Sequence, residues 1–289
     1  MAATDTGDPR ARSVASVASA APPPASARTV EAWAEAYIRT TSLERKLRPG
    51  PVPARFASDA QARPAIPRRI ERPGRPEVFQ PPRGKVKYGG LRSGRSRAHL
   101  LHRFFGHELQ AAELMCWAVL AFPDTPRAFR RGLVGVALDE VRHMNLYATQ
   151  IARLGYALGD FPLNDWFWQR IPASRTPLSF LAAMSLGFEA ANLDHSGDFA
   201  ARFRQVGDDE AAAVQEQVAR EELAHVRFGA SWFRRFHGAL TFDAWVAALP
   251  PPLSPMVMRG RAIDEDARAR AGLDARYIER LALWQPRGV

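Results

Sequence analysis

Residues 138–147 read LDEVRHMNLY, and residues 219–228 read AREELAHVRF. Each stretch sets a His three residues after a Glu: Glu140 with His143, and Glu222 with His225. On a helix, positions i and i+3 share one face about a turn apart, so both side chains can reach a single point. A carboxylate and an imidazole meeting there make half of a metal site. Two such halves on separate helices, each faced by one further inward Glu, form the pattern of a di-metal carboxylate bundle.

The facing carboxylates have to come from helices that precede each half. Residues 99–122, HLLHRFFGHELQAAELMCWAVLAF, contain no Pro and predict one long helix. Leu101, Phe104, Glu108, Ala111, Met115, Ala118 and Phe122 form its stripe, and Glu108 is the one charged member. The break PDTP (Pro123–Pro126) leads to a second helix from about Arg127 to Leu154, with Glu140 on a stripe that also holds Ala137, Met144, Tyr147 and Ile151. A longer connection, residues 155–176, carries Trp166, Phe167 and Trp168. A third helix then runs from about Pro177 to Gly207 with Glu189 in its apolar middle, and a fourth from about Asp209 to His237.

Glu108 precedes Glu140 by 32 residues, and Glu189 precedes Glu222 by 33. In two antiparallel hairpins, near-equal offsets across a short turn put each Glu level with its Glu–His partner. Glu113 is the rival on the first helix. It lies off the stripe, and its shorter offset shifts its depth by roughly 4 Å at about 1.5 Å per residue, which favours Glu108. The order helix, short turn, helix, long crossover, helix, short turn, helix predicts an all-α chain built on a four-helix bundle with one crossover.

The flanks differ in texture. Residues 1–28, rich in Ala, Ser and Pro, predict a disordered tail, and SVASVASAA within them makes a poor signal-peptide core. Residues 29–97 predict a short helix capped by Thr29, docking its Trp33/Tyr37 face, followed by an extended arm with nine Pro. The bundle is assigned to residues 98–238 and a helical extension to 239–289, including an Arg-rich helix from about Asp264 over one end. Of the charges, 19 Lys and Arg against 8 Asp and Glu fall in residues 1–100, while the rest carries 21 against 22. Such asymmetry admits a nucleic-acid contact, although an Arg-rich solvated arm is the favoured reading. A single Cys, Cys116, excludes an internal disulfide framework and fits a reducing, cytoplasmic setting. No apolar run is long enough to span a bilayer.

Four stretches carry a resemblance. HELQAAEL, LDEVRH, GFEAANLD and REELAH resemble the carboxylate-bridged di-iron proteins of the ferritin-like superfamily, over about residues 96–238. The wording LLHRFFGHELQAAELM is most similar to a bacterial ferritin-like family known only as a domain of unknown function, and more distantly to tRNA hydroxylases acting on isopentenyl-adenosine. The resemblance implies a ferritin-like fold and makes Glu108, Glu140, His143, Glu189, Glu222 and His225 the six ligands of two iron ions. Spacing and faces select the same six. Oxygen and imidazole donors suit iron or manganese, and four carboxylates balance two divalent ions.

Asp139 and Glu221 each precede a ligand Glu. In an antiparallel bundle each could accept the free imidazole N–H of the opposite half's His, with a solvated helix face as the equal alternative. Tyr147, a turn beyond His143, is either a redox or proton partner or, more plainly, a core Tyr. No catalytic residue beyond the metal ligands is assigned. The expected function is a di-iron (or manganese–iron) oxidoreductase that uses O2 and an electron donor to oxidise or hydroxylate a small organic substrate. The alternatives are a ferroxidase or iron-handling protein without organic substrate, and an RNA-base-modifying hydroxylase. A homo-oligomer stays open.

Overall fold

Thr29 and Ser42 each accept a hydrogen bond from the backbone N–H three residues on, and each opens a short helix: α1 (Val30–Arg39) and α2 (Leu43–Leu47). In the computed structural model, which describes residues 27–57, 66–84 and 89–286, four long helical stretches then follow. They are α3 (Gly94–Ala121), α4 (Arg127–Arg153), α5 (Pro177–Ala183) continuing through a π-helical turn (Met184–Glu189) into α6 (Ala190–Arg204), and α7 (Asp209–His237). Three smaller helices, α8 (Phe242–Ala248), α9 (Glu265–Arg270) and α10 (Ala275–Leu283), complete the chain. No strand occurs among the described residues. The expectation of a disordered tail over residues 1–28 falls almost wholly outside them.

Sequence chemistry fixes the ends. Pro177 stands in the first turn of α5, where a missing N–H costs nothing, and Thr176 caps Ser179. Asp208 accepts from Ala211 N at the start of α7, beside Asp209 and Glu210, as the positive helix end favours. α3 packs along α4, α6 and the π turn pack on α7, and α4 meets α7. Their facing sides are nearly all apolar and fully buried, from Leu101 and Phe105 on α3 to Phe233 on α7.

The N-terminal segment is pinned to this frame by specific bonds. α1 lies on α3 and α2 on α4. Arg130 on α4 donates to Glu31 at 2.9 Å, and the other oxygen of Glu31 accepts from Ala57 N. Where it is described, the Pro-rich arm runs against α1 and α3: Arg68 N reaches Leu120 O, Trp117 Nε1 reaches Ile70 O, and Gly74 N reaches Ile38 O.

Two readings of the sequence need correction. The third helix is not a continuous α-helix, because Met184–Glu189 takes the wider π register. The Arg-rich C-terminal stretch is not one polar helix. α9 stops at Arg270, α10 buries Tyr277, Ile278 and Leu281, and Arg268 is fully buried against Asp194 of α6.

Candidate metal centre

Six side chains from four helical stretches meet between α4 and α7: Glu108 from α3, Glu140 and His143 from α4, Glu189 from the end of the π turn, and Glu222 and His225 from α7. None is more than 3 % exposed. They form two overlapping groups. In Glu108, Glu140, His143 and Glu222, one donor atom per residue lies within 4.8 Å of every other, and the same holds for Glu140, Glu189, Glu222 and His225. Glu140 and Glu222 belong to both groups, so they stand where carboxylates shared by two ions would stand.

The imidazoles are oriented alike. His143 turns Nδ1 toward Glu140 Oε2 at 3.2 Å, and His225 turns Nδ1 toward Glu222 Oε2 at 3.0 Å. Each donates from Nε2 to a carboxylate on the facing helix: His143 to Glu221 at 2.7 Å, His225 to Asp139 at 3.2 Å. A carboxylate acceptor fixes the proton on Nε2 and leaves Nδ1 to face the cluster. Arg142 binds both acceptors, donating to Asp139 at 2.7 Å and to Glu221. Sequence reasoning did not single out Arg142. The available signal was its place in DEVRH, three residues after Asp139 and beside the His.

The cluster's charges explain its protonation. Burial, with the nearby Glu140 and Glu222 adding to it, pushes Glu108 well above the usual carboxylate range. Glu189 is raised likewise by burial and by Glu222 and Glu140. Burial would raise Glu140 too, but His225 and His143 outweigh it and hold it low. Burial opposes a charged His143, yet its hydrogen bond to Glu140 and the neighbouring charges carry it up to about 9. His225 is raised in the same way, by Glu222 and Glu140 against burial. Protons thus stand in for positive charge that the carboxylates call for.

The donor set fits metal ions. Glu189 Oε1 and Glu222 Oε1 are buried without a hydrogen-bond partner, while Glu140 Oε1 lies 3.0 Å from His225 Nδ1. A buried acceptor left unpaired costs on the order of 1–3 kcal/mol, so two in one place call for a partner other than the protein. Each Nδ1 faces the carboxylates of its own group, and oxygen with imidazole suits iron or manganese.

Other buried polar residues near the cluster are engaged elsewhere. Glu113 is fully buried but points away, accepting from Lys46 at 2.7 Å and Trp168 Nε1 at 2.8 Å, and pairing with Arg75. Lys46 also donates to Tyr37 O and Ile38 O, so three acceptors meet its three hydrogens. Asp194 pairs with Arg268. His107 packs against Phe167, and burial with Arg103 brings it down to about 3. His102 accepts from Gly159 N. Tyr147 is buried and its hydroxyl accepts from Gln215 Nε2 at 3.2 Å. A cleft of about 200 Å³ opens between α6, α7 and α9, with Leu193, Ala219 and Leu223 in its wall.

Residues 22–279 match the family described as "Protein of unknown function (DUF455)". A curated protein of Haemophilus influenzae, described as an uncharacterized protein, is 26% identical over 155 residues, which cover 53% of this chain and 54% of that protein. The chain thus matches about half the length of that relative. No solved structure matches.

Proposed function

The chain belongs to the family described as protein of unknown function (DUF455), so its function is argued from the site, and we propose that it is a di-metal oxidoreductase. In this reading α3, α4, α5–α6 and α7 form a ferritin-like four-helix bundle. Glu108, Glu140, His143, Glu189, Glu222 and His225 hold two iron ions, or iron with manganese. The observation that carries it is the pair of overlapping donor groups sharing Glu140 and Glu222, with unpartnered oxygens buried at their centre.

Such an ion pair supplies activation of O2 for oxidising or hydroxylating an organic substrate, with electrons from a separate donor. The chain's own residues do the rest. Asp139 and Glu221 hold the two imidazoles in register, and Arg142 ties those acceptors together across α4 and α7. The apolar walls keep water from the carboxylates, which strengthens their hold on any cation. The His143 and His225 protons leave when a cation takes their place.

A second reading has one observation in its favour. All six donors are at most 3 % exposed, which suits a centre that admits only ions and O2, as a ferroxidase would. Substrate turnover separates the two.

The test is anaerobic loading with Fe(II), metal analysis, and the optical spectrum on adding O2. Close to two ions per chain and an O2-dependent absorption change are expected. A loaded chain that retains no metal would overturn the proposal.

A further inference from the structure

Glu189 reaches the cluster from a turn that is not α-helical, and the groups that grip that turn come from the far end of the chain. Met184–Glu189 is π-helical between α5 and α6. A π turn takes one extra residue per turn, so it rotates everything after it by about 100° relative to an α-helix. Where the ladder changes from i+4 to i+5, carbonyls lose regular partners. Just ahead of the turn, the buried Trp245 of α8 donates from Nε1 to Ala182 O at 2.9 Å.

The turn is held on two sides by close approach. A Cβ on Gly187 would stand 2.5 Å from Met258 Sδ and 3.1 Å from Ala182 O, and a Cβ on Gly229 of α7 would stand 2.3 Å from the Ser185 Cβ. Glycine at both positions lets Met258 and α7 close on the turn. Met258 is itself fixed. Arg268 Nη2 donates to Met258 O at 3.2 Å and to Asp194 Oδ2 at 2.7 Å, and Asp194 also accepts from Gly260 N and Asp264 N. The Asp194 and Arg268 side chains are 0 % exposed. Glu189 Oε1, by contrast, is buried without a hydrogen-bond partner and the carboxyl bonds within the cluster to Glu222, so the backbone beneath it sets where it enters the cluster.

We infer that Trp245, Met258 and the Asp194–Arg268 pair are positioning residues that hold Glu189 in register for one half of the centre. The dependent half is Glu140, Glu189, Glu222 and His225. The other half shares Glu140 and Glu222 but has Glu108 of α3 and His143 of α4 in place of Glu189 and His225. This rests on the metal-binding reading of the site.

Trp245→Phe removes the N–H donor and keeps most of the ring, while Gly187→Ala drives a methyl against Met258. Anaerobic Co(II) titration of the full chain, followed by absorption, should show one ion bound as in the parent and the second weakened roughly 10- to 100-fold, the usual effect of losing support behind a ligand. Ile278→Val, a buried change in α10, serves as the control for general destabilisation and keeps both ions. Two ions at parental affinity in both variants, or parallel loss of both, would overturn the inference. Hydrogen exchange without metal reads the same hold directly: amides of residues 184–193 should exchange faster in Trp245→Phe, and those of 104–112 should not. If the parent chain binds no Co(II), the metal reading fails. Exchange then decides the positioning claim, and unchanged protection at 184–193 sinks it.

Discussion

Glu108 and Glu113 sit five residues apart on α3, both buried to 3 % exposure or less, and their surroundings set opposite consequences for the same substitution. Glu108 is pushed toward its neutral form by burial and by Glu140 and Glu222. Gln resembles that form, so Glu108→Gln should change the stability of the metal-free protein by about 1 kcal/mol or less and lower metal uptake below two ions. Burial would raise Glu113, but Lys46 and Arg75 hold it below the usual range. Glu113→Gln leaves Lys46 buried without its counter-charge and should cost about 3–5 kcal/mol in urea unfolding, with both ions retained. Stability loss in Glu108→Gln matching that of Glu113→Gln would refute the contrast. Which Glu faces the centre was legible from the stripe alone, since five residues turn the helix about 140° off the Glu108 face. What Glu113 does instead was not legible. Lys46 of α2 and Arg75 of the Pro-rich arm are 67 and 38 residues away, and no local pattern links either to Glu113.

At the scale of elements, the four long helical stretches were legible because each carries a long apolar pattern between Pro or Gly breaks. The offsets of 32 and 33 residues then brought the half-sites level. The π turn was not legible, because the groups that hold it are Trp245, Met258 and Gly229, which no local pattern links to Glu189. Nor was the division of the C-terminal part, where the buried Arg268 reads as a surface residue until Asp194 is seen opposite. α1 shows how much a short element contributes. Trp33 is 6 % exposed, lies parallel to Tyr37 at 5.8 Å between ring centroids, and donates to Gly50 O at 2.9 Å. Trp33→Ala should lower stability by roughly 3–5 kcal/mol, read by chemical unfolding, while metal content stays at the parental value. Loss of metal in a folded Trp33→Ala would mean that α1 shapes the centre as well as the core.

Across the whole molecule, many of the N-terminal arginines are structural ties rather than a free cationic face. Arg68 pairs with Glu35, Arg75 with Glu113 and Asp165, and Arg97 with Asp208, while Arg69 donates to Ser174 O and Arg175 O. That weakens the RNA reading, which predicts tRNA binding falling steeply with salt. The buried cluster governs how the molecule as a whole responds to pH. His143 titrates at about 9 when folded and about 6.5 when unfolded, and His225 is raised with it. A raised pKa on a base gives stability that is complete below about pH 6.5 and is lost as pH climbs through about 9. Glu108 and Glu189, raised by burial, act with the same sign, because the folded chain keeps protons that the unfolded chain gives up. Glu140, held low, acts at the acid end, where stability falls as pH drops. The metal-free protein should therefore lose thermal stability steadily from pH 6.5 to 9. A bound cation displaces those protons, so the metal-loaded protein should show a flatter Tm over the same range, and metal affinity should rise with pH. Tm measured across that range with Fe(II) and with a chelator checks both. Parallel curves would show that the six side chains do not trade protons for metal.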